Sequence, residues 1–219
     1  MTLPAISTPT NARSRQTRAV LLKAAREILS RDGAEALTMT SVAAQAGVTR
    51  RTAYLHFGSR TALIGALFDH LAATEGLEES LERVWSAPDA VTALDAWAAH
   101  LADYHPRLLA VDRAVERVRH EDPDAAAHRR RVVAEKLRNC RRLARWLKED
   151  GRLGAEWSVQ SATDMLFGLI SSDLIEALIV DRRWSRARLA AHLAIVFRKT
   201  FVDADPRPRG AAAASEVVR

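Results

Sequence analysis

The chain is short of cysteine, of alternating β-branched runs and of long apolar segments, and each shortage excludes something. Cys140 is the only cysteine, so no disulfide can form within the chain and a reducing, cytoplasmic setting is expected. The first residues lack a basic start followed by an apolar run, so nothing there reads as a secretion signal. The most apolar stretch, Met165 to Val180, carries Asp173 and Glu176 and is too short and too polar to span a bilayer. With little that reads as strand, and with the strong helix formers alanine, leucine and arginine dominating, an all-α fold of about nine helices is expected. No internal repeat is present. Acidic residues are missing altogether between residues 36 and 59.

That local absence matters more than the totals. A chain of 219 residues with 48% hydrophobic and 27% charged content fits a soluble protein of one large or two modest domains. The net charge of +6 suits a polyanionic partner, but arginine-rich enzymes are equally basic, so charge alone selects nothing. From Asn11 to Ala72, nine cations stand against four acids (Glu27, Asp32, Glu35, Asp69), which leaves +5 in that segment. Helices offered to phosphates are expected to look like this, because each lysine or arginine contact releases counterions condensed on DNA.

The acid-free stretch, TMTSVAAQAGVTRRTAYLHFGSR (38–60), reads as two short helices joined by a turn. Thr38 caps the first, and Met39, Val42, Ala43 and Ala46 make a narrow apolar stripe at helical spacing. Gly47 supplies the left-handed residue at the break, Val48 plugs the turn, and Thr49 caps the second helix. That helix carries Arg50, Arg51 and Thr52 in its first turns, followed by Tyr54 and His56. Small alanines allow the close approach that a helix-turn-helix needs, and side chains near the second helix's N-terminus are where such motifs meet base edges.

Around the motif, residues 1–14 read as a disordered arm, and a first helix from about Gln16 to Arg31 turns Val20, Leu21, Ala24, Ala25, Ile28 and Leu29 inward. Ser59 caps a fourth helix with Leu63, Ile64, Leu67, Phe68 and Leu71 inward, and the segment to Trp85 prolongs it past a bend at Gly76. Further helices are expected from Pro88-Asp89 to Tyr104, from Leu108 to Arg119 after a break at His105-Pro106, from Pro123 to Lys148, from Ser158 to Asp181 and from Trp184-Ser185 to Val202. The tail 203–219 reads as disordered. Domains are accordingly expected at 15–59 for the DNA-binding part and 60–202 for a ligand-binding and dimerisation part.

Taken together, these residues resemble the TetR family of bacterial transcriptional regulators, most closely over Thr17 to Leu67. The segment RDGAEALTM is followed by VAAQAGVTRRTAYLHFGSRTAL in the family's order and spacing, with Gly47-Val48, Tyr54, His56-Phe57, Ser59 and Leu63 at its most typical positions. Ala53 stands where leucine is frequent, and Arg60 where lysine is usual; an arginine there can hold a phosphate with two prongs. The resemblance implies a homodimer with an N-terminal DNA-binding domain, a larger C-terminal regulatory domain and a four-helix bundle made by the last two long helices of each subunit. It also makes repression at a palindromic operator the ordinary output.

Roles follow for particular residues. Arg50 and Arg51 are assigned to base reading, since an arginine fork matches the O6 and N7 acceptors of guanine; the bland alternative is two solvated arginines at a helix start. Thr40, Thr49, Thr52, Tyr54, His56 and Arg60 are assigned to phosphate positioning, with Thr38 beside them, although Tyr54 and His56 can equally be packing residues. Met165, Leu169, Leu174, Leu178, Leu189, Leu193, Val196 and Phe197 are more apolar positions than one subunit's core requires, and are assigned to the dimer interface, against an ordinary buried hairpin. Trp97, Leu101, Tyr104, Trp146, Trp157 and Phe167 are candidates for lining an effector cavity, with His100, Arg113, Asn139 and Asp164 as polar anchors; taken singly, each aromatic fits a core as well. The expected partners are operator DNA, a second copy of the chain and a small organic effector, with no cofactor and no membrane.

Three rival readings remain. Cys140 with His128 would suit a nucleophile and base, yet no third orienting group accompanies them; the arginines flanking Cys140 leave a redox sensor open. Glu116 with His120, and Asp124 with His128, stand one helical turn apart as a metal chelate would. A DNA-binding regulator without any effector is the third.

Overall fold

The computed structural model describes residues 11–203, and among them the chain is helical throughout, with a lone antiparallel bridge between Leu153 and Val202. Most of the expected arm and tail, and the side chain of Asp124, lie outside the described residues. Ten α-helices follow in order: α1 (Ala12–Asp32), α2 (Met39–Gln45), α3 (Arg50–Phe57), α4 (Arg60–Thr74), α5 (Leu77–Trp85), α6 (Ala90–Val118), α7 (Pro123–Glu149), α8 (Val159–Leu169), α9 (Ser172–Glu176) and α10 (Arg186–Phe201). A π-helical turn, Ala177–Asp181, continues α9.

The chain divides into two compact units: a head of Met1–Gly76 with Arg107–Val132, and a second unit of Leu77–Pro106 with Val133–Arg219. The sequence suggests a boundary at residues 59 and 60, whereas the compact head runs on through α4 to Gly76. Leu63, Ile64 and Leu67 of α4 are fully buried, and α4 packs on α1 and α3, so the head without α4 would leave its own core open to water. Gly76, at φ +75°, ends this stretch and makes α5 a separate helix.

Local signals set the head's short helices. Asn11, Thr38, Thr49 and Ser59 each accept a hydrogen bond from an otherwise unpaired amide in the first turn of α1, α2, α3 and α4. Thr38 and Ser41 satisfy each other's backbone N–H in a reciprocal capping box. Asn11 starts α1 at Ala12, several residues before the expected Gln16. Leu21, Ala25, Leu37, Val42, Ala53 and Leu63 are fully buried between these helices, whereas Val20 faces solvent.

Two long helices differ from expectation. α6 does not break at His105-Pro106; it runs on with Pro106 inside. An internal proline costs about 3 kcal/mol, but Leu101, Tyr104 and His105 before it and Leu108, Val111 and Val115 after it are buried along one helix, which outweighs that cost. The helix expected over Ser158 to Asp181 is instead three pieces. Ser171 turns its side chain to cap α9, accepting from the Leu174 amide, and a serine that caps its own downstream turn interrupts the helix before it.

The second unit encloses its own core, built from Leu94, Trp97 and Leu101 of α6, Cys140, Leu143 and Leu147 of α7, Leu166 of α8 and Phe197 and Phe201 of α10. Trp157 locks the last turn of α10 against it, its indole N–H donating to the Thr200 carbonyl at 2.6 Å.

Gly47 sits at φ +66° between α2 and α3 with open space around its Cα, so only backbone conformation demands glycine there. Gly47→Ala is expected to cost about 1–2 kcal/mol of stability through the left-handed backbone alone, measurable as a lower urea midpoint with an unchanged slope.

Candidate nucleic-acid interface and regulatory core

In the head, α3 divides cleanly into an inner and an outer face. Ala53, His56 and Phe57 point into the core. Thr49, Arg50, Arg51 and Tyr54 are exposed, as are Thr38 and Thr40 on α2, while Thr52 is half-buried. Arg50 lies over the Tyr54 ring, 5.3 Å from its centroid, and donates to the Tyr54 hydroxyl at 3.3 Å. Arg51 is exposed and, among the described residues, carries no such tether. Thr38 and Thr49 are at the expected face, but their hydroxyls are engaged in capping.

Two residues assigned to phosphate contacts are placed elsewhere. Arg60 turns back along the head, its Nε and Nη2 donating to the carbonyls of Leu37 and Ala34, each at 2.5 Å. The guanidinium therefore ties down the loop between α1 and α2, which local spacing could not reveal because its partners lie more than twenty residues away. His56 is only 6% exposed, and its Nδ1 has no hydrogen-bond partner among the described residues. Burial first, and then the Arg18 guanidinium, hold the His56 imidazole below its usual pKa, so the ring is neutral at pH 7 and unsuited to phosphate. Sequence reasoning missed Arg18. It donates from Nη1 to the His56 carbonyl at 2.9 Å and lies 4.5 Å from the centroid of the Phe57 ring, fastening α1 to the last turn of α3.

The candidate effector residues do not form one constellation. Trp97, His100 and Tyr104 of α6 stack in sequence, with centroids 5.1 and 5.3 Å apart, and Leu101 is buried beside them. His100 Nδ1 pairs with the Ser80 hydroxyl of α5 at 2.9 Å, while the Trp97 indole N–H is buried with no partner among the described residues. Trp146, Phe167 and Asn139 are half-buried, the first two against the same core. Two anchors fall away. Arg113 belongs to the head, and Asp164 is exposed, its carboxylate taken by the Gln160 amide at 3.0 and 3.1 Å. Sequence reasoning also missed His105, which burial, Lys136 and His100 hold well below its usual pKa.

Of the residues assigned to dimerisation, Leu189, Leu193 and Phe197 are buried in the subunit's own core, so they cannot form a partner's surface. They recur every fourth residue on α10, and that stripe faces inward. Ile195, on the opposite side, and Val196, at the margin of the stripe, are exposed, as are Met165 of α8 and Val180 of the π-helical turn. Leu169, Leu174 and Leu178 are half-buried.

The rival chemistries meet particular obstacles. Burial pushes the Cys140 thiol up to about 12, away from the thiolate that a nucleophile or redox sensor needs. His128 belongs to the head, where it faces Arg131 at 2.9 Å and the edge of Phe68. Glu116, paired with Arg119 at 2.6 Å and Arg129 at 3.2 Å, is committed to cations of the chain itself. Among the described residues, no group of three histidine, cysteine or acidic side chains is arranged to hold a metal ion, and no helix is long and apolar enough to cross a membrane.

A capped helix pair with an arginine-bearing outer face, joined to a second helical unit, defines a helix-turn-helix DNA-binding regulator. Residues 21–67 match the model of the bacterial regulatory proteins of the tetR family, so the likeness in sequence covers the head's helix-turn-helix and the helices that flank it. No curated protein sequence matches the chain. Among solved structures, a protein of Saccharomonospora viridis described as a transcriptional regulator, in complex with choline, is 15% identical, with a TM-score of 0.71 over 86% of this chain and 99% of its own. FadR of Bacillus subtilis, in complex with stearoyl-CoA, is 18% identical at a TM-score of 0.66 over 82% and 96%. NalD of Pseudomonas aeruginosa, the secondary repressor of the MexAB-OprM multidrug efflux pump, is 21% identical at 0.63 over 88% and 100%. At these identities the likeness is one of fold.

Two measurements follow. Arg60→Ala is expected to lower stability by about 1–3 kcal/mol, because two carbonyls lose a charged donor, and Arg60→Lys to restore only part of it, since an ammonium lacks the planar fork; urea melts of the three proteins decide this. In the second unit, burial lowers the His100 pKa to about 4. The folded pKa lies below the unfolded one, so this contribution is complete above about pH 6.5 and is lost as pH falls towards 4. Stability is expected to drop by about 2 kcal/mol from this residue between pH 7 and 5, and His100→Gln to flatten that slope in urea melts.

Proposed function

We propose that the chain is a ligand-responsive transcriptional repressor that binds a palindromic operator as a homodimer and is released by a small organic effector. The observation that carries the reading is the outer face of α3, where Arg50 and Arg51 stand exposed on a helix fixed from behind, in a stretch free of acids. Arg51, untethered, reads a base edge; Arg50, held against Tyr54, and Thr40 and Thr52 set the register on the backbone. A protein with this task works in the cytoplasm, where the chromosome lies.

The second copy docks on the face of α8 and α10 that carries Met165, Ile195 and Val196, with Leu169, Leu174 and Leu178 at its margin. Exposed apolar side chains on two helices support this. The effector is received by the second unit near Trp97, His100, Leu101 and Tyr104, with Trp146, Phe167 and Asn139 around them. The choline and stearoyl-CoA held by two proteins of the same fold differ widely, so the fold leaves the ligand's chemistry to the side chains. Here the buried imidazole is neutral and the stack is flat, which favours an uncharged aromatic compound over a cation. A second reading, a regulator without an effector, is favoured by how completely Trp97 and Leu101 are buried; thermal melts across a panel of aromatic compounds separate the two.

Arg51→Ala is expected to cost about 1–3 kcal/mol on the cognate operator and little on scrambled duplex; equal loss on both in gel shifts would rule out base reading. Ile195→Asp with Val196→Asp is expected to weaken self-association at least about 100-fold, two buried apolar side chains being worth about 3 kcal/mol or more. Sedimentation at micromolar protein reads this out.

A further inference from the structure

The head contains a cleft of about 540 Å³ among α1, α4 and the first part of α7, remote in sequence from the arginines of α3. Its floor is made of small or apolar side chains, Leu22, Ala62, Gly65 and Ala66, and its polar lining comprises Arg18, Asp69, His70 and Arg131. This volume lies within the range of small-molecule sites. Arg131 and Asp69 answer each other across the lining, Nη2 to Oδ1 at 2.7 Å. Arg18 is different. Its guanidinium offers five N–H donors, of which one meets the His56 carbonyl, while Phe57 covers one face. Among the described residues no carboxylate lies within ion-pair distance of it, and Asp69, the acid that acts on it, is held by Arg131. Burial lowers the Arg18 pKa, the mark of a cation partly withdrawn from water without a counter-ion.

We propose that this cleft binds a small organic anion, its acid group on Arg18 and its apolar body on the floor formed by Leu22, Ala62, Gly65 and Ala66. Three observations converge: a hollow of ligand size, a half-buried cation with donors to spare, and an apolar floor beside it. Neutral His70, whose pKa burial and Arg26 lower, adds a polar group that does not compete for the negative charge. The acid is a carboxylate or a phosphate monoester, either of which an arginine fork accepts. Because the same guanidinium holds the His56 carbonyl, the ligand acts one hydrogen bond away from the recognition helix. The site is separate from the effector region of the second unit, and its test involves no DNA.

The experiment is calorimetric titration of the full chain at constant ionic strength with benzoate, phenyl phosphate, inorganic phosphate and benzamide. Wild type is compared with Arg18→Gln and with Ala66→Phe, which fills the floor and leaves the cation in place. Saturable binding of benzoate or phenyl phosphate is expected, at least tenfold tighter than inorganic phosphate, with benzamide silent. Loss of at least tenfold is expected in both variants, each checked for folding by circular dichroism. Should one variant fail to fold, the other decides. Absence of saturable binding by either organic anion, equal binding of benzamide or of inorganic phosphate, or unchanged affinity in a folded variant would overturn the assignment. Unchanged affinity in both would place the anion outside the head.

Discussion

A helix of eight residues does not persist alone in water, and α3 has eight. Its existence depends on the seam behind it, where Ala53 and Phe57 are buried as α3 packs on α2 and α4. Capping by Thr49 and the left-handed turn at Gly47 fix where the helix begins. Arg18 and Arg60, from outside the helix-turn-helix proper, secure its far end and its approach loop. With most of the stability supplied from behind and by the caps, Arg51 carries no structural duty, and among the described residues it has no side-chain partner. A reading surface needs this separation, because a residue committed to holding the fold cannot also answer to a base sequence.

The head was largely legible because its signals are local. Thr38, Gly47, Thr49 and Ser59 act within four residues of their own positions, and the apolar stripes of α1 and α4 repeat at helical spacing. Errors arose where a side chain acts at a distance. Arg60 and His56 sit on the correct motif but serve loop carbonyls and the core, partners that no spacing predicts. Pro106 showed the opposite failure, since a strong local breaker yielded to burial on both sides of it. On α10 the apolar residues divide: Leu189, Leu193 and Phe197 satisfy their own subunit, while the large side chains of Ile195 and Val196 remain outside. A sequence shows how much apolar surface exists, not which half of it the chain itself covers.

The second unit places polar chemistry where a purely structural bundle would have none. His100 and His105 are buried and held neutral, and the Trp97 indole N–H goes unanswered. Burying such groups opposes folding unless they are paired. Their presence along α6, with His100 paired to the Ser80 hydroxyl, sets this unit apart from a simple dimerisation module. The chain thus tolerates an acid-sensitive core in the unit to which a regulatory role is assigned, while the head is held by caps and arginine–carbonyl bonds.

The single thiol has a practical meaning of its own. Cys140 is fully enclosed in the second unit with its proton firmly retained, so alkylating reagents reach it only when that unit opens. Its rate of modification is a built-in clock for opening, confined to one half of the molecule and blind to the other. Dyes attached through cysteines introduced on the head would report there without removal of the native one.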